Sequence, residues 1–263
     1  MIDFTTLQLE HWIGLVFWPF IRILALLSAA PVFSATQVPI QVRVGLALLI
    51  SVAIAPALPP MPAVHFLSGE GFILLIQQIL IGTALGFAVT VIFSVIQFAG
   101  SVISLQMGLG FSSFFDPTTG VQVPTLSNFL NLLVLLLFMA MNGQLLVLVT
   151  LMRSFTLLPV TATLSLNPSA WHFLVEEGTI IFSLGLAISA PVLGTLVLVN
   201  IALGVLGKLA PQLNIFVIGF PILLGLGILA LDVFMPAMTM IVRHLLNLSM
   251  DTAGQAMFLA ARP

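Results

Sequence analysis

The stretch GLGFSSFFDPTTG, residues 108–120, interrupts a strongly apolar chain between two long apolar runs. It carries three glycines, three phenylalanines, two serines, one aspartate and one proline. A lipid-buried helix does not have that composition, because glycine and proline weaken helices and a carboxylate is costly in hydrocarbon. An ordinary solvated loop does not carry three rings. The segment is therefore read as a specialised break between apolar helices.

The surrounding composition sets the class of protein. Of 263 residues, 60% are hydrophobic and 5% charged, and the mean hydropathy is +1.28. A soluble domain has about 25% charged residues, so this chain is membrane-derived or membrane-inserted, and its long apolar runs are read as an all-α fold. A net charge of −2 argues against a nucleic-acid partner, which calls for clustered Lys and Arg. Without cysteine there are no disulfides or thiolates. His11, His65, His172 and His244 share no metal-ligand spacing, and no metal or cofactor is expected. Asp3 and Glu10 precede the first apolar run without any Lys or Arg, the wrong start for a cleaved signal, so the first segment is expected to be retained.

Spans of about 20 apolar residues fall near 12–36, 41–58, 71–106, 126–152, 178–207 and 214–247. The second is short, and the third and sixth exceed one simple span, with bends or breaks expected. Pro19, Pro31, Pro39, Pro56, Pro191, Pro221 and Pro236 punctuate them and predict kinked or terminated helices packed against neighbours. Gly82 and Gly86 have the four-residue spacing that permits close helix contact. The Lys/Arg bias that normally orients membrane proteins fails here. Arg43, Arg153 and Lys208 fall in loops on opposite sides of a six-span arrangement. Either some segments do not span, or partners override the rule.

Catalytic constellations are absent: there is no Ser-His-Asp set, Walker loop, HExxH or paired carboxylate, and no catalytic residue is assigned. Glu176 and Glu177 point about 100° apart on a helix, so they are read as the polar start of the fifth segment, where acids favour a helix N-terminus. Trp171 and His172 before them read as interfacial residues. Two ionisable residues lie inside apolar runs, Arg22 in the first and Asp232 in the sixth, and such residues usually mark function. A buried pair between them stands beside two plainer readings: partners on another protein, or positions at kinks next to Pro19 and Pro236.

Three further stretches carry most of the information. APVFSATQVPIQVRVGLAL (30–48) forms a tight corner of two prolines and Arg43. Residues 106–148 join the opening stretch to an apolar run containing LFMAMNG (137–143). In GKLAPQLNIFVIGFPI (207–222), Pro211, Gln212 and Asn214 place an amide-rich break between apolar helices, the tip of a helical hairpin. In order, the patterns A-P-x-F…V-P-x-x-V-R-x-x-L-A, G-L-G-F…D-P, L-F-x-x-x-N-G and P-Q-L-N-I-F-x-I-G-F-P resemble the FliR family of flagellar export-gate proteins, whose virulence-secretion counterparts are called SctT. The resemblance covers nearly the whole chain. Gln144, where the family more often has His, departs from it.

The resemblance implies a single-copy structural subunit of a type III export gate in the bacterial inner membrane. FliP-type and FliQ-type subunits would be its neighbours, with FlhB-type and FlhA-type proteins alongside and unfolded flagellar proteins as substrates. It implies a FliP-like part, 1–177, carrying a plug loop near 106–120, and a FliQ-like hairpin part, 178–263. It also implies a complex lying largely on the periplasmic side of the bilayer, its apolar helices covered by partners and lipid. Arg43, Lys208, Pro211, Gln212, Asn214 and Phe216 would then lie at subunit interfaces. A virulence secretion gate and a self-contained secondary transporter are the alternatives.

Within the opening stretch, Phe111, Phe114 and Phe115 can exclude water from a constriction. Gly108, Gly110 and Gly120 permit uncommon backbone conformations, Asp116-Pro117 sets a turn, and Met107 adds a flexible apolar side chain. With Leu109, Ser112 and Ser113 they form the expected channel plug, Met107 to Pro117. A buried re-entrant loop that only packs between helices is the other reading; the family resemblance favours the plug.

Overall fold

The computed structural model describes residues 6–34, 38–62, 64, 68–109, 125–161, 168–212 and 214–260; for 6–12, 168–174, 176, 215 and 216 the description is of the backbone. Every regular element among them is helical. In chain order these are α1 (Thr6–Ala29), α2 (Pro31–Ser34), α3 (Ile40–Ile54), α4 (Gly69–Gln106), α5 (Thr125–Ala140), α6 (Gly143–Leu157), α7 (Pro168–Leu209) and α8 (Ile215–Ala260), with a 3-10 turn at Ala55–Ala57.

Proline does less breaking than the sequence suggests. Pro19, Pro191, Pro221 and Pro236 lie inside continuous helices, whereas Pro31 opens α2, Pro39 precedes α3 and Pro56 sits in the 3-10 turn. Thr195 Oγ1 donates to the Pro191 carbonyl at 3.0 Å, a side-chain bond back along the same helix one turn past the proline. Among the described residues, four helices are long and apolar enough to cross a membrane: Ile40–Ala57, Gly69–Gln106, Glu177–Leu209 and Val217–Ala260. The six runs read from sequence reduce to these for two reasons. Run 12–36 ends at Ala29, leaving the shorter apolar helix Ile13–Ala29. Run 126–152 is divided at Asn142, whose φ of 57° and ψ of 33° are left-handed; counting α5 and α6 as one broken span gives five. At 46 residues, α8 is roughly 70 Å long, more than twice the hydrocarbon thickness of about 30 Å.

The chain divides into two compact units, Met1–Val91 with Asn142–Glu177 and Leu246–Pro263, and Ile92–Met141 with Gly178–Leu245. In the first, α1 crosses α4 at very close range. A Cβ added to Gly82 would lie 2.3 Å from the Arg22 carbonyl oxygen, and one added to Gly86 would lie 2.5 Å from Ala29 Cβ. Thr90, four residues further on the same face, places its hydroxyl 3.0 Å from the Ala29 carbonyl at the end of α1 and 2.9 Å from the Gly86 carbonyl, so its one proton serves either. Ser51 of α3 donates to the Val16 carbonyl at 2.6 Å.

In the second unit, α4 meets α5 where Gly100 faces Ser127 and the Ser101 and Ser127 hydroxyls lie 3.0 Å apart. It meets α7 where Phe98 covers Gly185 and stacks edge-on with Phe182 at 5.2 Å. Large apolar side chains also point outward, with Val233 82% and Leu209 78% exposed, a pattern fit for lipid or protein and not for water.

Candidate functional site

The described part of the expected plug is its base. Met107 is buried in a cluster with Ile103, Val192, Leu196 and Leu231, so the end of α4 is held by α7 and α8. Gly227 makes the room: a Cβ there would lie 2.6 Å from Met107 Cγ and Cε and 2.8 Å from Sδ. Gly108 follows at a φ of 79°, its amide donating to the Leu105 carbonyl at 3.1 Å, a left-handed turn that ends the helix. Leu109 is half-buried against the same cluster. Gly110, Phe111, Ser112, Ser113, Phe114, Phe115, Asp116 and Pro117 lie outside the described residues.

At the hairpin tip, α7 ends at Leu209, Pro211 and Gln212 turn, and α8 begins at Ile215. Lys208, Pro211, Gln212 and Asn214 are exposed, and the Asn214 carbonyl accepts from the amides of Val217 and Ile218. The Phe216 side chain lies outside the description. Arg43 has work within its own chain: its Nη2 donates to the Ser34 and Val38 carbonyls, both at 3.1 Å, tying the corner between α2 and α3.

Arg22 and Asp232 do not share an environment. Asp232 is exposed on this chain, in the second unit, so nothing described within the chain buries it. Arg22 is fully buried in the first unit. Its Nε donates to Gln78 Oε1 at 2.7 Å, Nη1 to Ser154 Oγ at 3.0 Å and Nη2 to the Leu158 carbonyl at 2.9 Å. Its guanidinium lies 4.0 Å from the centroid of the Phe155 ring. Sequence reasoning missed these partners, although two adjacent glutamines inside the apolar run 71–106 were a usable signal.

Glu177 opens the apolar span Glu177–Leu209, where the sequence places the start of the fifth segment, but the helix itself begins nine residues earlier at Pro168, so Glu177 is not at the helix N-terminus. Its position is beyond the reach of the N-terminal dipole, which fades within the first turn. Glu177 is buried and bonded to Thr252 of α8. Among the described residues no group of His, Asp or Glu is arranged to hold a metal ion.

The family model for "Bacterial export proteins, family 1" matches residues 13–249, which includes the corner, the loop, the Asn-Gly turn and the hairpin. The chain belongs to this family. It is 42% identical over 250 residues to flagellar biosynthetic protein FliR of Pectobacterium carotovorum subsp. carotovorum, with 94% of each chain covered. FliR of Escherichia coli strain K12 is 41% identical over 249 residues, again covering 94% of each. FliR of Bacillus subtilis strain 168 is 30% identical over 236 residues, covering 89% of this chain and 90% of that one. The membership in the FliR family read from four ordered motifs therefore holds along nearly the full length.

Proposed function

We propose that this FliR-family chain is a single-copy structural subunit of the flagellar protein export gate in the bacterial inner membrane, and that its loop near 106–120 seals the substrate channel. The observation that carries the export reading is the near-complete match to flagellar FliR proteins at up to 42% identity. Those relatives favour the flagellar gate over a virulence gate. The sealing role is supported by chemistry at both ends of what is described: three rings in the loop sequence, and a rigid base where Met107 is seated against Gly227.

The division into a FliP-like part, 1–177, and a FliQ-like part, 178–263, belongs to the same proposal, and the α7–α8 hairpin supports it. FliP-type and FliQ-type subunits would cover the outward-facing side chains of α3, α7 and α8, with the exposed tip residues Lys208, Gln212 and Asn214 at a FliQ-type neighbour. FlhB-type and FlhA-type proteins would stand beside the gate, and unfolded flagellar proteins would pass through it. No catalytic residue is assigned.

Co-purification tests the reading. Expressed with FliP-type and FliQ-type partners from the same bacterium, the chain is expected in one large complex containing one copy per particle. A folded, monodisperse monomer that ignores those partners would favour a self-contained transporter instead.

A further inference from the structure

Glu177 is 2% exposed. Among the described residues Oε1 is bonded to Thr252 Oγ1, while Oε2 has no hydrogen-bond partner. The Thr252 hydroxyl also lies 2.9 Å from the Leu248 carbonyl oxygen and 3.0 Å from that of Ser249. A hydroxyl has one proton to donate, and carbonyl oxygens only accept. These counts allow two arrangements.

In the first, Glu177 is ionised and Thr252 gives it the single proton. A carboxylate is then buried on one neutral donor. Buried carboxylates that stay charged accept two or three N–H bonds or face a cation, and an unpaired buried charge is so costly that the group takes up a proton instead. In the second arrangement Glu177 carries a proton, donates it to Thr252 Oγ1, and Thr252 donates its own to the Leu248 carbonyl. Every hydrogen is then used and no charge is buried.

Other titratable groups lie along both helices. On α8, Asp251 is exposed next to Thr252, and Arg243 and His244 are exposed two turns or more before it. On α7, His172 and Glu176 precede Glu177, their side chains outside the description.

We propose that Glu177 is a proton-binding site: it stands as a neutral carboxylic acid whose O–H bond to Thr252 joins α7 to α8. No other bond forms or breaks when the proton leaves to solvent. The join then loses its donor and acquires a buried charge, so the helices are released from each other at this point. This inference is independent of the channel-sealing reading.

The test uses the full chain in its isolated membrane complex. Infrared difference spectra between wild type and Glu177→Gln at neutral pH are expected to contain the C=O band of a protonated carboxyl, lost from wild type on raising the pH. If Glu177→Gln does not accumulate, Thr252→Val gives the readout: the acid loses its acceptor and its band shifts. A Glu177 that contributes only a carboxylate band at neutral pH, or a Thr252→Val spectrum identical to wild type, overturns the proposal.

Discussion

Arg22 and Gln78 meet at 2.7 Å, guanidinium Nε to amide Oε1, at a point where both residues are completely buried. With Ser154, Phe155 and the Leu158 carbonyl, this contact gathers α1, α4 and α6 around one cation. The Leu158 carbonyl lies at the C-terminal end of α6, where the helix dipole favours positive charge. The cation is thus stabilised by dipoles and a ring face, with no carboxylate among its described bonding partners.

Removing Gln78 should therefore weaken the first unit. Gln78→Met deletes a hydrogen bond to a charged group, worth about 1.5–3 kcal/mol. The adjacent Gln77 has an Oε1 without a hydrogen-bond partner, so Gln77→Met is expected to be far milder. Thermal unfolding of the purified complex compares the two; equal losses would mean that the Arg22 network contributes little.

The α1–α4 crossing leaves no room for a methyl group. At Gly82 the nearest obstacle is the Arg22 carbonyl, which is backbone and cannot swing away. Gly82→Ala is expected to destabilise by about 1–3 kcal/mol through overpacking. Gly45 on α3 has nothing within 4 Å of its added Cβ, so Gly45→Ala should be neutral or should gain up to about 1 kcal/mol of helix propensity. Complex yield and melting temperature decide between these expectations.

This crossing was legible because its signal is local: Gly82 and Gly86 are four residues apart, and four residues bring side chains to one helix face. The hairpin break at Pro211–Gln212 was legible for the same reason. What escaped depends on residues far apart in sequence. Arg22 meets Ser154 across 132 positions, and Glu177 meets Thr252 across 75. The slot at Gly227 for Met107 looks, in sequence, like any other glycine of a membrane helix. An apolar run does not say which face of a helix its own chain covers, and Asp232 lies on a face that this chain leaves open.

Asn142 divides α5 from α6 in a left-handed conformation, φ 57° and ψ 33°. Asparagine tolerates this region and glycine does so freely, whereas a β-branched residue crowds its own carbonyl. Asn142→Gly should retain wild-type assembly, and Asn142→Val should cost about 1–2 kcal/mol. The pair is compared by complex yield at elevated temperature. Equal behaviour of Gly and Val would show that the turn is set by its surroundings alone.

Deleting Gly110–Phe115 separates sealing from packing. The deletion removes Phe111, Phe114 and Phe115, the rings proposed to keep the constriction dry, and spares Met107 in its seat against Gly227. If the loop seals the channel, the complex should still assemble, because the base at Ile103, Met107, Val192, Leu196 and Leu231 is intact, and ions should leak through it without substrate. If the loop only packs, the deletion leaves cavities whose cost destabilises the complex, and yield should fall with no leak. Conductance of the reconstituted complex, measured beside its yield, distinguishes the two. Gly227→Ala adds an internal control. Its Cβ would displace Met107 itself, so under the sealing reading it should also raise conductance, and Met107→Ala in the same chain should relieve the clash without restoring the seated side chain. A loop deletion that assembles fully and stays ion-tight would remove the sealing role.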